Sequence, residues 1–360
     1  MEKFLSASSL QRIFADDEKN PSKIAILEDN NLVEFLCILK PEIPEIGSIH
    51  IVRIHQVFRQ HKLATAMLED GTQVSVRLSN GKLHPGNLAV ATITSEPWEL
   101  KPARAILGAQ LIGRYVILLP GEPETARLGR NTKTAQPSQT ALKDEIKKIL
   151  PEGFGVILRR QAINAGQSLI KNEIEILASD WKDNAELPAN LNSVATSKKL
   201  YQGLPLIKWA SIIAPTASKR ICTDDGEWQT VYEQLEKACE SKLTTDQDVV
   251  IWFQSTKGLT AIDIDSASSK MGASELSAHI AEIVIKQIRL RHISGAVFVD
   301  LPRLAKPDRK KFRRFCRDHA SADIRHPDIY GFGPAGLLEM TVRHTYMPLI
   351  ERMKFMLSAF

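Results

Sequence analysis

The sequence predicts a multi-domain α/β chain, and three observations carry that prediction. A length of 360 residues makes room for two to three domains at roughly 100–200 residues each. The texture of the chain changes along its length. Short alternating runs crowd residues 47–103, whereas from Val249 onward strand-length apolar runs flank a segment of helical spacing. Finally, 43% hydrophobic and 25% charged residues supply enough apolar surface for a packed core and exclude global disorder.

Residues 1–45 read as short strands. Ala25-Ile26-Leu27 and Leu36-Cys37-Ile38-Leu39 are the apolar pieces, and Glu28-Asp29-Asn30-Asn31 is the turn signal. Between residues 46 and 103, the runs Ile49-His50-Ile51-Val52-Arg53-Ile54, Ala64-Thr65-Ala66-Met67-Leu68, Gln73-Val74-Ser75-Val76-Arg77 and Ala89-Val90-Ala91-Thr92-Ile93 alternate with turns. That spacing predicts a small barrel, specifically an OB-fold. Residues 104–195 mix strand and helix. Tyr115–Pro120 and Gly155–Arg160 have the pattern of buried strands, Ala165–Trp181 reads as a helix, and the polar stretch Gly121–Gln139 reads as a mobile loop. Residues 224–240 form an amphipathic helix. Beyond it, Val249–Phe253 and Leu259–Ile264 make a hairpin. Glu275–Arg291 has helical spacing, Gly295–Asp300 is a strand, Pro307–Ala320 is a basic helix and Gly336–Thr341 is a last strand.

The net charge of +5 is compatible with a polyanionic partner without requiring one. The positive charge gathers late, in Arg309-Lys310-Lys311 and Arg313-Arg314; such a helix is as readily a solvated face as a nucleic-acid contact. Phe312 and Phe315, at helical spacing within it, read as core. Four scattered cysteines with no Cys-x-x-Cys pair signal neither a zinc site nor a disulfide framework. No signal peptide and no apolar run of membrane-spanning length is present. The expectation is a soluble cytoplasmic protein.

The chemistry concentrates on carboxylates. Asp263 and Asp300 each end an apolar run, and Asp265 follows Asp263 at the i+2 spacing that shares a strand face. A strand–helix–strand crossover would permit the two strands to be neighbours. Oxygen ligands without nearby His or Cys favour Mg²⁺, or Mn²⁺ in its place, over zinc. Such an ion polarises a phosphodiester and acidifies water, so hydrolysis at phosphorus is the natural reaction. An Asp-x-Asp alone is more often a solvated turn.

The surrounding residues add a resemblance. Ile262-Asp263-Ile264-Asp265-Ser266-Ala267 resembles the Ile-Asp-Val/Ile-Asn-Ser-Gly/Ala string of ribonucleases E and G. Gln287–Arg291 with Ile293–Asp300, and Phe332–Thr341, are similar to later segments of that family in the same order. Leu111–Pro120 and Gly153–Arg160 resemble earlier ones. The resemblance spans nearly the whole chain and is strongest from Val249 to His344.

It implies a metal-dependent endoribonuclease that cuts single-stranded RNA in RNA processing or decay. Asp263 and Asp300 would be catalytic and, with Asp265, would hold the metal. Asp265, standing where the family has Asn, would tune it. The implied architecture is a ribonuclease-H-like subdomain from residues 1–45 and 196–240, with the OB-fold RNA-binding barrel, residues 46–103, inserted in it. Residues 104–195 would form a 5′-sensor region, 241–345 a DNase I-like catalytic domain, and 346–360 a helical tail. Arg159 would belong to a pocket for a 5′-monophosphate, altered by Arg160 in place of the family's Thr. Lys101 would touch RNA beyond the barrel, and Arg309, Lys310 and Arg313 are the basic residues expected to grip phosphates.

Met67 and Val76 stand where the family's barrel offers stacking phenylalanines. The Cys-Pro-x-Cys zinc-link and scaffold tail of larger relatives do not stand in these residues, so homo-oligomers would not form by that link. Two rival readings stay open. One is an RNA-binding regulator with weakened or lost cleavage. The other is a nuclease for DNA, separable by a 2′-hydroxyl requirement.

Overall fold

A computed structural model describes residues 10–18, 22–39, 43–78, 83–129, 137–222, 225–266, 269–301, 304–320, 323–325 and 327–357. The chain divides into two compact units. One combines residues 1–37 with 216–360, and the other is residues 38–215.

In the 38–215 unit, alternation builds a closed barrel. The strands Ile49–Phe58, Leu63–Met67, Gln73–Arg77, Arg104–Leu107 and Leu88–Ser95 follow one another round it, and Leu88–Ser95 pairs back onto Ile49–Phe58. All neighbours are antiparallel except Gln73–Arg77 beside Arg104–Leu107. This is a closed five-stranded, OB-like barrel. Its interior is filled by small and branched residues, among them Val52, Ile54, Ala64, Ala66, Val74, Val76, Ala91, Ile93 and Ala105, as a narrow barrel requires. The strand Lys198–Tyr201 adds to its first strand from outside.

A second sheet in this unit runs Ala126–Leu128, Phe154–Leu158, Val116–Pro120, Leu111–Ile112. The helix Gln167–Asn184 covers it with Ile170, Ile174, Leu177 and Trp181. Here one expectation is corrected. Gly121–Gln139 is not simply a loop: Ala126–Leu128 is a strand parallel to Phe154–Leu158, and a helix spans Pro137–Lys148. Ala126 and Leu128 pack on the local core, which holds a three-residue strand too short to show a period. Pro137 at the helix start is suited to the first helical position, where no N–H is needed. Residues 130–136, also within that stretch, lie outside the described residues.

In the other unit, Lys23–Glu28 and Asn31–Cys37 form a hairpin closed by Asp29 and Asn30, both at positive φ, 48° and 69°. A two-residue hairpin turn needs that conformation, and Asp and Asn tolerate it best after Gly. Gln11–Ala15 pairs with Lys23–Glu28 and, in parallel, with Ser218–Ile221. The larger sheet has six strands in the order Lys242–Thr244, Val250–Ser255, Leu259–Asp265, Gly295–Asp300, Leu338–Val342, Asp328–Phe332. The helices Ala273–Leu290 and Lys306–Ala320 cover one of its faces. Ile280, Val284, Ile288, Phe312 and Cys316 meet Ile262, Ile264, Val297 and Val299 there. Phe312 is fully buried and Phe315 packs at the margin.

A buried ionic network ties this unit together. Arg289 Nε donates to Glu34 Oε2 at 2.5 Å. Arg325 pairs with Asp323 through Nη2 at 2.7 Å and also donates to the Ile288 and Ile293 carbonyls. Arg352, on the helix Leu349–Leu357, donates to the Cys37 carbonyl at 2.9 Å. Burial works to raise the carboxyls of Glu34 and Asp323. The arginines overcome it and hold both below their usual range. Among the described residues no helix is long and apolar enough to cross a membrane.

Candidate functional site

Strand periodicity decides what the six-stranded sheet shows on its uncovered face. Along Leu259–Asp265, Thr260, Ile262 and Ile264 turn into the helix-covered core, so Asp263 and Asp265 turn the other way and are exposed. Along Gly295–Asp300, Val297 and Val299 are fully buried, and Asp300 is exposed. The two strands are parallel neighbours with Asp263 directly opposite Asp300. The carboxylates therefore stand side by side, one strand spacing of about 4.8 Å apart at the backbone.

Asp265 lies two residues further along, where its register partner is Val250 on the other side and the Gly295–Asp300 strand has ended. Among the described residues no group of three His, Cys, Asp or Glu is placed to hold a metal ion. The donor set is thus a carboxylate pair with Asp265 beside it. Ala267, last in the motif, lies outside the described residues.

Such a pair fits a hydrated divalent ion. Two carboxylates on neighbouring strands of one face bring like charges together. A cation between them relieves this. Mg²⁺ commonly takes one or two carboxylates from a protein and keeps several waters, whereas a closed zinc site needs four ligands, mostly N or S.

Glu339, on the neighbouring strand opposite Phe298, is held by a close approach. A Cβ on Gly333 would meet its carboxylate, so a larger residue there would push that flexible end aside.

The basic residues are distributed differently from the sequence picture. The Lys306–Ala320 helix lies on the covered face, opposite the carboxylates. Arg309 stacks over the Phe332 ring at 5.2 Å and donates to the Leu304 carbonyl. Arg313 packs against Gly331, whose φ of +126° belongs to glycine. Arg317 donates to the Ile329 carbonyl at 3.1 Å. Arg309 and Arg313 thus help seat the helix on the edge strand, while Lys310 is exposed.

In the other unit, Lys101 is exposed between the barrel strands Leu88–Ser95 and Arg104–Leu107, its Nζ 5.6 Å from the Trp98 ring centroid. Arg159 ends the Phe154–Leu158 strand. Its backbone N–H donates to the Tyr115 carbonyl and its guanidinium to the Gly113 carbonyl. Arg160 is exposed beside it.

The sequence reading missed Glu173. It is buried on the Gln167–Asn184 helix, and Oε1 accepts the Tyr115 and Val116 N–H groups at 2.8 and 2.9 Å. Burial pushes its carboxyl up to about 7, against those bonds and the nearby Arg159 charge. Its only sequence signal is a charged residue on the apolar face between Ile170 and Leu177.

The family model described as "Ribonuclease E/G family" matches residues 110–228 and 208–345. The chain belongs to the ribonuclease E/G family. Ribonuclease E of Escherichia coli strain K12 is 23% identical over 302 residues, covering 72% of this chain and 28% of that protein. Ribonuclease G of the same strain is 20% identical over 318 residues, covering 77% and 64%. Ribonuclease E of a Nostoc species is 22% identical over 298 residues, covering 72% and 43%. The chain therefore spans less than two thirds of the length of these relatives. The family match covers both candidate regions, the Asp263–Asp300 pair and the strands around Arg159.

Proposed function

We propose that the chain is an endoribonuclease of RNA processing or decay, cutting single-stranded RNA by hydrolysis at a Mg²⁺ site, with Mn²⁺ as a substitute. The observation that carries this reading is the exposed, in-register pair of Asp263 and Asp300, within a family whose relatives are named ribonucleases. Asp263 and Asp300 would hold the ion, and Asp265 would add negative charge beside it. When bound, the ion would supply positive charge against the phosphodiester oxygens and acidify water.

The residues do the positioning. The paired strands fix the spacing of the two carboxylates, the helix-covered core keeps those strands rigid, and the open face admits a polymer. Lys101 offers exposed charge for phosphates, whereas Lys310 stands on the helix-covered side, away from the carboxylates. Arg159, with Arg160, is the candidate for reading a 5′-phosphate, though part of its hydrogen-bonding capacity serves Gly113.

The test is cleavage of a 5′-labelled, unstructured oligoribonucleotide with Mg²⁺, with Mn²⁺ and with EDTA, beside the matching oligodeoxyribonucleotide. Metal-dependent internal cuts in RNA alone support the reading. Salt-sensitive binding with no cleavage under either metal would instead make the chain an RNA-binding regulator. Equal cutting of DNA would remove the 2′-hydroxyl requirement.

A further inference from the structure

The carboxylate pair belongs to a longer row. Lys242 is in register with Trp252, Trp252 with Asp263, and Asp263 with Asp300, so one line across four strands of the open face reads cation, indole, carboxylate, carboxylate. Of the five tryptophans, Trp181 and Trp228 are buried and Trp98 and Trp209 half-buried. Trp252 is 37% exposed. Its neighbours along the strand, Ile251 and Phe253, turn into the core, which fixes the indole on the carboxylate side. Lys242, itself exposed, holds its Nζ 5.4 Å from the Trp252 ring centroid, within cation–π range.

We propose that Trp252 is a base-stacking platform for one nucleotide of single-stranded RNA beside the scissile phosphate, with Lys242 orienting the ring and meeting the adjacent backbone phosphate. This rests on the nuclease reading of Asp263 and Asp300. A single exposed tryptophan needs no special explanation; the juxtaposition does the arguing. At the backbone Trp252 stands one strand spacing from Asp263 and two from Asp300, about 5 and 10 Å, so a base stacked on the indole lies within a nucleotide's reach of the carboxylates. Every base offers a π-face, so the platform tolerates any sequence while setting the distance from base to cut. It also supplies an aromatic surface that Met67 and Val76 do not provide in the barrel.

The experiment compares wild type, Trp252→Ala and Trp252→Phe on oligoribonucleotides in which one abasic nucleotide is stepped through the positions flanking the cut. In wild type, kcat/KM should fall about tenfold for the abasic site at one position only, and Trp252→Phe should retain much of that dependence. Trp252→Ala should lose about tenfold on the intact oligonucleotide and nothing further with the abasic one. Trp252→Ala cutting like wild type, or keeping the position-specific penalty, would overturn the platform while leaving the nuclease reading intact. An altered oligomeric state with an unchanged abasic profile would make this face a protein interface and would likewise overturn it. Should wild type cut no RNA, the nuclease reading fails by itself. Tryptophan fluorescence then decides the platform: quenching by the intact oligonucleotide that disappears in Trp252→Ala supports it, and equal quenching in both proteins refutes it.

Discussion

Glu173 shows how a single residue can work against the unit it helps to shape. Its carboxyl organises the turn into Val116–Pro120, yet it sits among apolar side chains that disfavour its charge. With the folded pKa raised to about 7 from the usual 4.5, the native state keeps a proton between those values that the unfolded chain has lost. Stability is therefore full below about 4.5, falls as pH rises through this window, and is lowest above about 7. The buried His50 has the opposite slope. Burial and the Lys199 charge push its imidazole down to about 4, so its contribution falls as pH drops from 6.5. Glu173→Gln should flatten the decline between pH 5 and 8 by on the order of 3 kcal/mol in urea titrations. A variant with the wild-type slope would show that Glu173 is not its source. Neither residue was legible in the sequence, because burial of a polar side chain depends on neighbours distant in the chain. Asp263 and Asp300 were legible because each directly follows residues that must be inside.

Elements were read best where the period was long enough to count. The helix Ala273–Leu290, the hairpin ending at Asp265 and the strand Gly295–Asp300 match the spacing that predicts them. The Pro137–Lys148 helix and the Ala126–Leu128 strand escaped because a polar, Pro-bearing stretch surrounds them. The barrel separates two positions that sequence reasoning treats alike. Val76 turns inward and is fully buried, whereas Met67 lies on the outer side of its strand and is half-buried. Val76→Phe should overpack the interior and cost about 1–3 kcal/mol without strengthening RNA binding. Met67→Phe should tighten binding of an unstructured oligoribonucleotide about tenfold by adding a stacking surface. Binding titrations with both variants check this, and the reverse ranking would mean the aromatic positions are misassigned.

At the scale of the whole molecule, the two compact units divide the work proposed for the chain. Residues 38–215 carry the barrel and the strands around Arg159. Residues 1–37 and 216–360 carry the sheet with the carboxylate row. The pairing of Gln11–Ala15 with Ser218–Ile221 joins segments some two hundred residues apart, which no local pattern reveals. The local pattern permitted Asp263 and Asp300 to meet, since a strand–helix–strand connection can place its two strands side by side. What it could not supply was the face they share or the aromatic residue beside them. Whether this pair performs the proposed cleavage is read from the rate of internal RNA cutting by Asp263→Asn, Asp300→Asn and Asp265→Asn beside wild type. Both aspartates of the pair are exposed, so the folded state should survive their replacement, as circular dichroism would verify. Asp263→Asn and Asp300→Asn should each lose cleavage by at least about a hundredfold, with Asp265→Asn retaining most of it. Wild-type rates in the first two variants would contradict the pair's role.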